Sequence, residues 1–298
     1  MSVSETFSRR QELTSRLRDL VVYFNMQNVQ QFIKDAWDLP HAPGFPGPQP
    51  VSIERRHFVN FTRQPYVVCE KTDGVRHLLV SMDEGTFLVN RAFHIEAVKI
   101  KIPKDSVLDG ELVKLKNAKL AFIIHDAVRI KGEDLKSRPL TTRLEAAHQM
   151  VKKIIKTASA PFELRVKIMH PYGKVIDLQG FDYETDGLVF TPINEPIRTG
   201  THETMFKWKP RERITIDFEI RNGKDLYVQD RGVPYKEAEI HLKSVDIPDG
   251  SIVECGFGEL GWFVEKIRTD KNHANNRRTY FRTIINIREN IQISEFKI

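Results

Sequence analysis

Between Tyr66 and Val128 this chain is a run of short apolar segments broken by turn residues, and that run commits the stretch to a β-sheet. Strand-like segments lie at residues 66–69, 75–82, 86–90, 106–114 and 121–128, with Asp83-Glu84-Gly85 as a hairpin signal between the second and third. Residues 140–157 read as a helix that begins at a Thr-Thr cap and ends in small residues. Strands return at 162–168 and 187–191. Ahead of the sheet, Leu13, Leu17, Leu20, Val21 and Phe24 recur at helical spacing and predict an amphipathic helix. The Pro/Gly-rich stretch 40–50 ends helix and becomes a loop.

The pattern changes after Pro210. Ile214, Ile216, Phe218 and Ile220 alternate strictly with polar residues, the mark of a half-buried strand. Asn222-Gly223 turns the chain into a strand at 226–228, and 251–255 and 262–267 make further strands. A small β-barrel suits this region. Tyr280, Ile284, Ile287 and Ile291 then give a closing amphipathic helix. The expected division is residues 1–212 and 213–298, with the last helix free to pack back on the first domain. Gly256-Phe257-Gly258-Glu259-Leu260-Gly261 satisfies G-x-G-x-x-G, but a dinucleotide site needs a helix next. Trp262-Phe263-Val264-Glu265-Lys266 looks like a strand, so this is a glycine-rich hairpin.

Charge narrows the partners a little. Lys plus Arg is 46 and Asp plus Glu 40, so the formal charge is +6, which fits a polyanionic partner and also ordinary solubility. Cys69 and Cys255 make neither a disulfide framework nor zinc-finger spacing, which points to a reducing compartment. Cys69 reads as core. No apolar run is long enough for a membrane span, and no secretory leader pattern opens the chain.

Chemistry concentrates in five short blocks. The first, Glu70-Lys71-Thr72-Asp73-Gly74-Val75-Arg76, is a Lys-x-Asp-Gly-x-Arg pattern at the end of an apolar strand. The strand would hold the lysine rigidly, and the glycine allows a tight turn and close approach of a ligand to the backbone. A lysine crowded by cations can act as a nucleophile. Alone, the block reads equally well as a solvated charged turn. Downstream come Leu108-Asp109-Gly110-Glu111-Leu112-Val113, Thr185-Asp186-Gly187-Leu188-Val189-Phe190, Phe206-Lys207-Trp208-Lys209-Pro210 and Arg268-Thr269-Asp270-Lys271. In this order the set resembles the covalent nucleotidyltransferases: ATP-dependent DNA ligases, RNA ligases and mRNA capping enzymes. The match is nearest to the GTP:mRNA guanylyltransferases, on Lys-Thr-Asp-Gly, on an aspartate opening Asp-Gly-Leu-Val-Phe, on Phe-Lys-Trp-Lys-Pro, and on the entry loop Gly44-Phe45-Pro46-Gly47-Pro48-Gln49-Pro50-Val51-Ser52-Ile53. It spans about Gly44 to Asn276.

The resemblance implies an α/β nucleotidyltransferase domain of the ligase and capping type (ATP-grasp-like), followed by an OB-fold β-barrel. It makes Lys71 the nucleophile, attacking the α-phosphorus of GTP and expelling pyrophosphate to leave lysyl-N–GMP. Attack requires a neutral amine, and Lys207, Lys209 and a divalent metal are the neighbours implied for it. Thr72 belongs to the nucleotide-binding block. Arg76 and Arg91 would meet the sugar or phosphate edge, and Glu111 the ribose hydroxyls. Glu111 and Asp186 would be the metal-site carboxylates, with Mg²⁺ or Mn²⁺ suited to oxygen ligands and phosphates. The strand Phe122-Ile123-Ile124-His125-Asp126 resembles the one that packs on the purine, although the family has phenylalanine where His125 stands. Phe122 and Asp126 are its candidate nucleotide contacts, and Lys167 is the candidate for guanine O6. Arg268, Asp270 and Lys271 would grip the β- and γ-phosphates. Asp217 matches a family aspartate of no derivable role. Ala274 precedes Asn275 where the family often has proline, so the turn there can differ.

The implied function is transfer of GMP to the 5′-diphosphate end of RNA. An RNA triphosphatase and a cap methyltransferase would be separate partners, and a phosphorylated RNA-polymerase tail is a further one. The setting would be nuclear, or cytoplasmic for a viral source. Two rivals share the residues: an ATP-dependent ligase using the same lysine, and a non-catalytic nucleic-acid-binding protein, against which Lys71, Glu111, Asp186, Lys207 and Lys209 all stand intact.

Overall fold

A computed structural model describes residues 26–39, 44–154, 160–173, 180–241 and 247–296. The helix expected around Leu13–Phe24 lies outside the described residues; helix α1 covers 26–36. In chain order follow β1 (Gln49–Ser52), α2 (Asn60–Arg63), β2 (Tyr66–Thr72), β3 (Val75–Met82), β4 (Gly85–Asn90), β5 (Ile95–Ala97), β6 (Ser106–Lys114), β7 (Leu120–Ile130) and β8 (Glu133–Asp134). Next come α3 (Leu140–Lys153), β9 (Glu163–Val166), β10 (His170–Pro171), β11 (Thr185–Pro192) and β12 (Thr201–Trp208). The C-terminal part holds β13 (Thr215–Arg221), β14 (Asp225–Asp230), β15 (Val233–Glu239), β16 (Ile252–Gly258), β17 (Gly261–Ile267) and α4 (Arg277–Glu289).

The first part of the fold is two sheets. The larger runs β5-β4-β3-β6-β7-β8, with β9 also on β7; the smaller runs β1-β12-β11-β2-β10. Alternation gives the larger sheet two apolar faces. Leu79, Leu108, Phe122 and Ile124 bury one against Ala147 and Met150 of α3. Leu78, Val80, Val89 and Val107 bury the other against Val29 and Ile33 of α1. Helix α3 starts from Pro139 rather than from the Thr-Thr pair. Proline suits a helix start because its missing N–H is one that no helical carbonyl would accept from. Thr141 and Thr142 therefore fall inside the first turn, and the helix ends at Lys153, with 155–159 outside the described residues.

The C-terminal sheet runs β15-β14-β13-β16-β17, and an isolated bridge between Ile240 and Trp262 links its two edges. This is an OB-like curled sheet that a single bridge joins, in place of a fully paired barrel. Inside it pack Ile216, Phe218, Ile220, Leu226, Val228 and Val253, covered by Tyr280 and Ile287 of α4. Asn276 starts that helix, its side chain accepting from the Thr279 N–H at 2.8 Å. The glycine-rich segment 256–261 is a hairpin, Gly258 facing Gly261. Beyond α4, Ile291 and Phe296 leave the curled sheet and pack with Tyr66, Val68, Phe190 and Phe206 of the smaller sheet.

Candidate active site

Lys71 stands near the end of β2, where that strand pairs with β11. Pairing is regular from Leu188 to Pro192 but slips between Thr185 and Leu188, and Asp186 and Gly187 fill the slip. Gly187 is required there: its φ is +153°, and a Cβ would collide with the Trp208 carbonyl of β12. The bulge turns the Asp186 carboxylate toward two lysines. Lys71 Nζ donates to Oδ1 at 2.7 Å, and Lys209 Nζ lies 2.5 Å from Oδ2. Those hydrogen bonds outweigh burial and hold the Asp186 carboxyl below its ordinary value. The side chain of Lys207, two residues before Lys209, makes no hydrogen bond or ion pair among the described residues. Burial lowers its proton affinity, and the charges of Lys71, Lys209 and Arg91 lower it further.

Gly74, in the turn between β2 and β3, also packs tightly on strand β6: a Cβ on it would meet the Leu112 carbonyl at 2.6 Å.

Between the two sheets lies a cleft of about 200 Å³ lined by Lys71, Thr72, Arg76, Arg91, Glu111, His125, Asp126, Lys167 and Lys207. Apolar contact comes from Pro48, Pro50, Met169, Val189 and Met205. Arg76 forms a two-pronged pair with the buried Asp109, at 2.9 and 2.6 Å, and donates to the Pro48 carbonyl. Asp109 is a site residue that motif reading passes over, although it stands in the same block as Glu111. Arg91 donates to Gln49 Oε1 at 2.6 Å. Burial pushes the Glu111 carboxyl up, against the pull of Lys167, Lys71 and Arg76. Cys69 also lines the cleft, but burial pushes its thiol up to about 12, so it offers no thiolate.

At the base end, three expectations meet different geometry. Phe122 does not enter the cleft; it is fully buried in the core and packs on Phe162. It lies three positions from His125, and alternation puts the two on opposite faces of β7. Asp126 lines the cleft, yet Arg143 of α3 holds both its oxygens, at 2.6 and 2.9 Å. Lys167 is buried, its Nζ donating to the Glu70 carbonyl at 3.1 Å and to Thr72 Oγ1, and pairing with Glu70 Oε1 at 3.1 Å. Tyr183 closes this network by donating to the same Glu70 oxygen at 2.8 Å.

His125 is the one aromatic ring among the described residues of the cleft wall, its Nε2 3.4 Å from Asp109. Burial lowers it to about 4, only partly opposed by Asp109. The unfolded chain, with an ordinary value near 6.5, therefore takes up this proton first as the pH falls. Stability should be fully present above pH 6.5 and fall toward pH 4, by roughly 3 kcal/mol at most for this group. Urea unfolding of His125→Gln and the parent at pH 7 and pH 4.5 checks this; equal losses in both would clear His125 of the effect.

The fifth block is organised within the curled sheet and does not line the cleft. Arg268 pairs with Asp270 at 2.7 Å, with Asp217 at 2.9 Å and with Glu254 at 3.1 Å, and Lys271 also bonds Asp217. Asp217 thus ties the arginine and the lysine of that block together, a geometry its isolated position in the sequence does not reveal.

Among the described residues no group of three His, Cys, Asp or Glu side chains is placed to hold a metal. Of the two carboxylates expected at a metal, Glu111 lines the cleft with its proton affinity raised by burial, while both oxygens of Asp186 are held by Lys71 and Lys209.

Similarity to known proteins covers residues 16–296. Residues 16–211 match the family described as mRNA capping enzyme, catalytic domain, and residues 190–296 match mRNA capping enzyme, C-terminal domain. The mRNA-capping enzyme subunit alpha of Yarrowia lipolytica is 30% identical over 82% of this chain and 78% of the relative. That of Schizosaccharomyces pombe is 28% identical over 79% of this chain and 74% of the relative. The mRNA-capping enzyme of Danio rerio is 28% identical over 84% of this chain; the match spans 47% of that relative, about half its length.

Proposed function

The chain belongs to the mRNA capping enzyme family, a family of nucleotidyltransferases, and on that premise we propose that it moves GMP from GTP, through Lys71, to the 5′-diphosphate end of RNA. The observation that carries the reading is the Lys71–Asp186–Lys209 cluster beside the half-buried Lys207, whose side chain has no partner among the described residues. Four cations, Lys71, Lys207, Lys209 and Arg91, have one carboxylate among them in hydrogen-bond contact, and that imbalance suits a bound polyphosphate. In the first step the neutral Lys71 amine, having lost a proton to solvent, forms a P–N bond at the α-phosphorus as the bond to pyrophosphate breaks. In the second, a terminal phosphate oxygen of RNA forms a P–O bond to the same phosphorus. The P–N bond breaks, and the lysine nitrogen takes up a proton.

Asp186 positions Lys71, and with Glu111 it would hold a Mg²⁺ or Mn²⁺ ion, which would supply charge neutralisation to the phosphates. Arg76, fixed by Asp109, and Arg91 are assigned to the sugar and phosphate edge. Thr72, Asp126 and Lys167 form the floor under the base, where Met169, Val189 and Met205 provide apolar packing. The diphosphate acceptor calls for an RNA triphosphatase activity upstream and cap methylation downstream. The proposed setting is the nucleus, or the cytoplasm for a viral source. No helix among the described residues is long and apolar enough to cross a membrane. We divide the chain near residue 212, where Pro210 and a short turn separate β12 from β13.

The test is direct: incubate the protein and metal with α-labelled GTP or ATP and resolve it on a denaturing gel. Label from GTP supports capping. Label from ATP alone would make the chain a ligase, and no label a binding protein.

Arg268 and Lys271 are assigned to the β- and γ-phosphates, which are present in GTP and absent from the adduct. Arg268→Ala and Lys271→Ala should therefore slow adduct formation at least tenfold more than transfer from isolated adduct. The reverse pattern would make the block an RNA contact.

A further inference from the structure

A second groove of about 200 Å³ opens between the end of β12 and helix α4 and shares Lys207 with the nucleotide cleft. Lys207, Lys209 and Arg211 line it, the Lys209 ammonium also pairing with Asp186 at 2.5 Å, and Ser52, Thr215, Thr279 and Thr283 bring hydroxyls beside the apolar Ile53, Trp208, Ile214 and Ile291. No Asp or Glu is among the described residues that line it. The hydroxyl side has a simple origin in the sequence. Tyr280, Ile284 and Ile287 turn one face of α4 onto the curled sheet, which leaves Thr279, Thr283 and Asn286, spaced by four and three, on the face toward the groove. The helix is held in that place from both sides. Asn286 donates to the Ile53 carbonyl at 2.6 Å, and Trp208 Nε1 donates to the Ile291 carbonyl at 2.8 Å.

We propose that this groove is the subsite for the terminal phosphates of the RNA acceptor, an inference that rests on the capping reading of the Lys71 site. A small pocket of cations and hydroxyl donors with no carboxylate is matched to phosphate oxygens and repels nothing on them. Its size admits a short phosphate chain and leaves the nucleosides of the RNA outside. Lys207 forms a wall of both cavities, so phosphates seated here lie beside the GMP that Lys71 would carry. Their terminal oxygen then needs only a short approach to the α-phosphorus, and holding it there supplies the orientation that the second step demands.

The test uses the full chain and separates the two half-reactions. Arg211→Glu and Thr283→Glu each place a carboxylate in the groove without touching Lys71, Lys207 or Lys209. Both should form adduct from GTP within twofold of the parent rate, and both should reverse it with pyrophosphate equally well. With isolated adduct in single turnover, the concentration of 5′-diphosphate RNA giving half the maximal rate should rise at least tenfold. Thr283→Ser should behave as the parent. Unchanged half-saturation by RNA in both glutamate variants would remove the acceptor from this groove. Slowing of adduct formation and pyrophosphate reversal as large as that of RNA transfer would give the groove to the leaving group or to a structural role. Folding of each variant is checked by circular dichroism, and Arg211→Gln replaces Arg211→Glu if the latter misfolds. A parent protein that forms no GTP adduct would sink the capping reading and leave the groove to a binding measurement. There, a labelled short RNA with a 5′-diphosphate should bind at least tenfold tighter than its 5′-hydroxyl counterpart, and Arg211→Glu should abolish the difference. Equal binding of the two RNAs by the parent would overturn the subsite.

Discussion

Lys71→Arg protein is expected to fold normally and to take up no label from α-labelled GTP, a loss on the order of 10⁴-fold or more. Arginine keeps the positive charge and can still donate to Asp186, so the local electrostatics survive. What it cannot do is release a proton at any working pH, and a charged nitrogen has no lone pair to offer phosphorus. The side chain is partly exposed, 24%, so the larger guanidinium has room and the fold should tolerate it. Intact-mass measurement after incubation with GTP and metal reads the outcome. A folded Lys71→Arg chain heavier by one GMP would move the covalent step to another residue.

Arg143→Ala should be the most damaging single change to stability outside the large apolar core, costing about 3–5 kcal/mol. Arg143 and Asp126 are 2% and 4% exposed, and their two-pronged contact is supplemented by the Arg143 Nη1 bond to the Glu195 carbonyl at 3.3 Å. Removing the arginine strands a carboxylate whose burial already raises its proton affinity despite its partner. The double replacement Arg143→Leu with Asp126→Leu should recover most of the loss, because no buried charge is then left alone. Chemical denaturation of Arg143→Leu, Asp126→Leu and the double variant gives the coupling. Additive effects would show that the pair is not interacting in the way its geometry indicates.

The strands were legible where alternation was undisturbed. Residues 75–82 and 106–114 are read with the same ends that β3 and β6 have, and the Asn222-Gly223 turn falls between β13 and β14 as expected. Periodicity could not deliver what depends on long-range pairing. Arg143 belongs to a helix seventeen residues beyond Asp126, and only packing of α3 on β7 brings the two together. Asp109 is one carboxylate in a block already accounted for by Glu111, and its partnership with Arg76 follows from β3–β6 register. β12 was missed because Phe206-Lys207-Trp208-Lys209 was read for its lysines, although Phe206 is fully buried and alternates with them. The resemblance of its strand assigns Phe122 to the nucleotide, whereas the parity of its position puts it in the core.

The chain crosses between the smaller sheet and the curled sheet twice. One crossing leaves β12 through Lys209–Arg213; the other returns from α4 through Asn290 and Ile291 to the anchor at Phe296. Both crossings border one groove. A body held to another by a single strand can swivel in any direction, whereas two adjacent attachments remove most of those freedoms. What survives easily is rotation about the line through the two attachments, with translation and twist resisted by both. If the curled sheet closes over the cleft, these two attachments make its motion that of a gate on a fixed axle. The Arg268–Lys271 block is carried on the swinging leaf, Lys71 is set in the post, and the axle runs past Lys209.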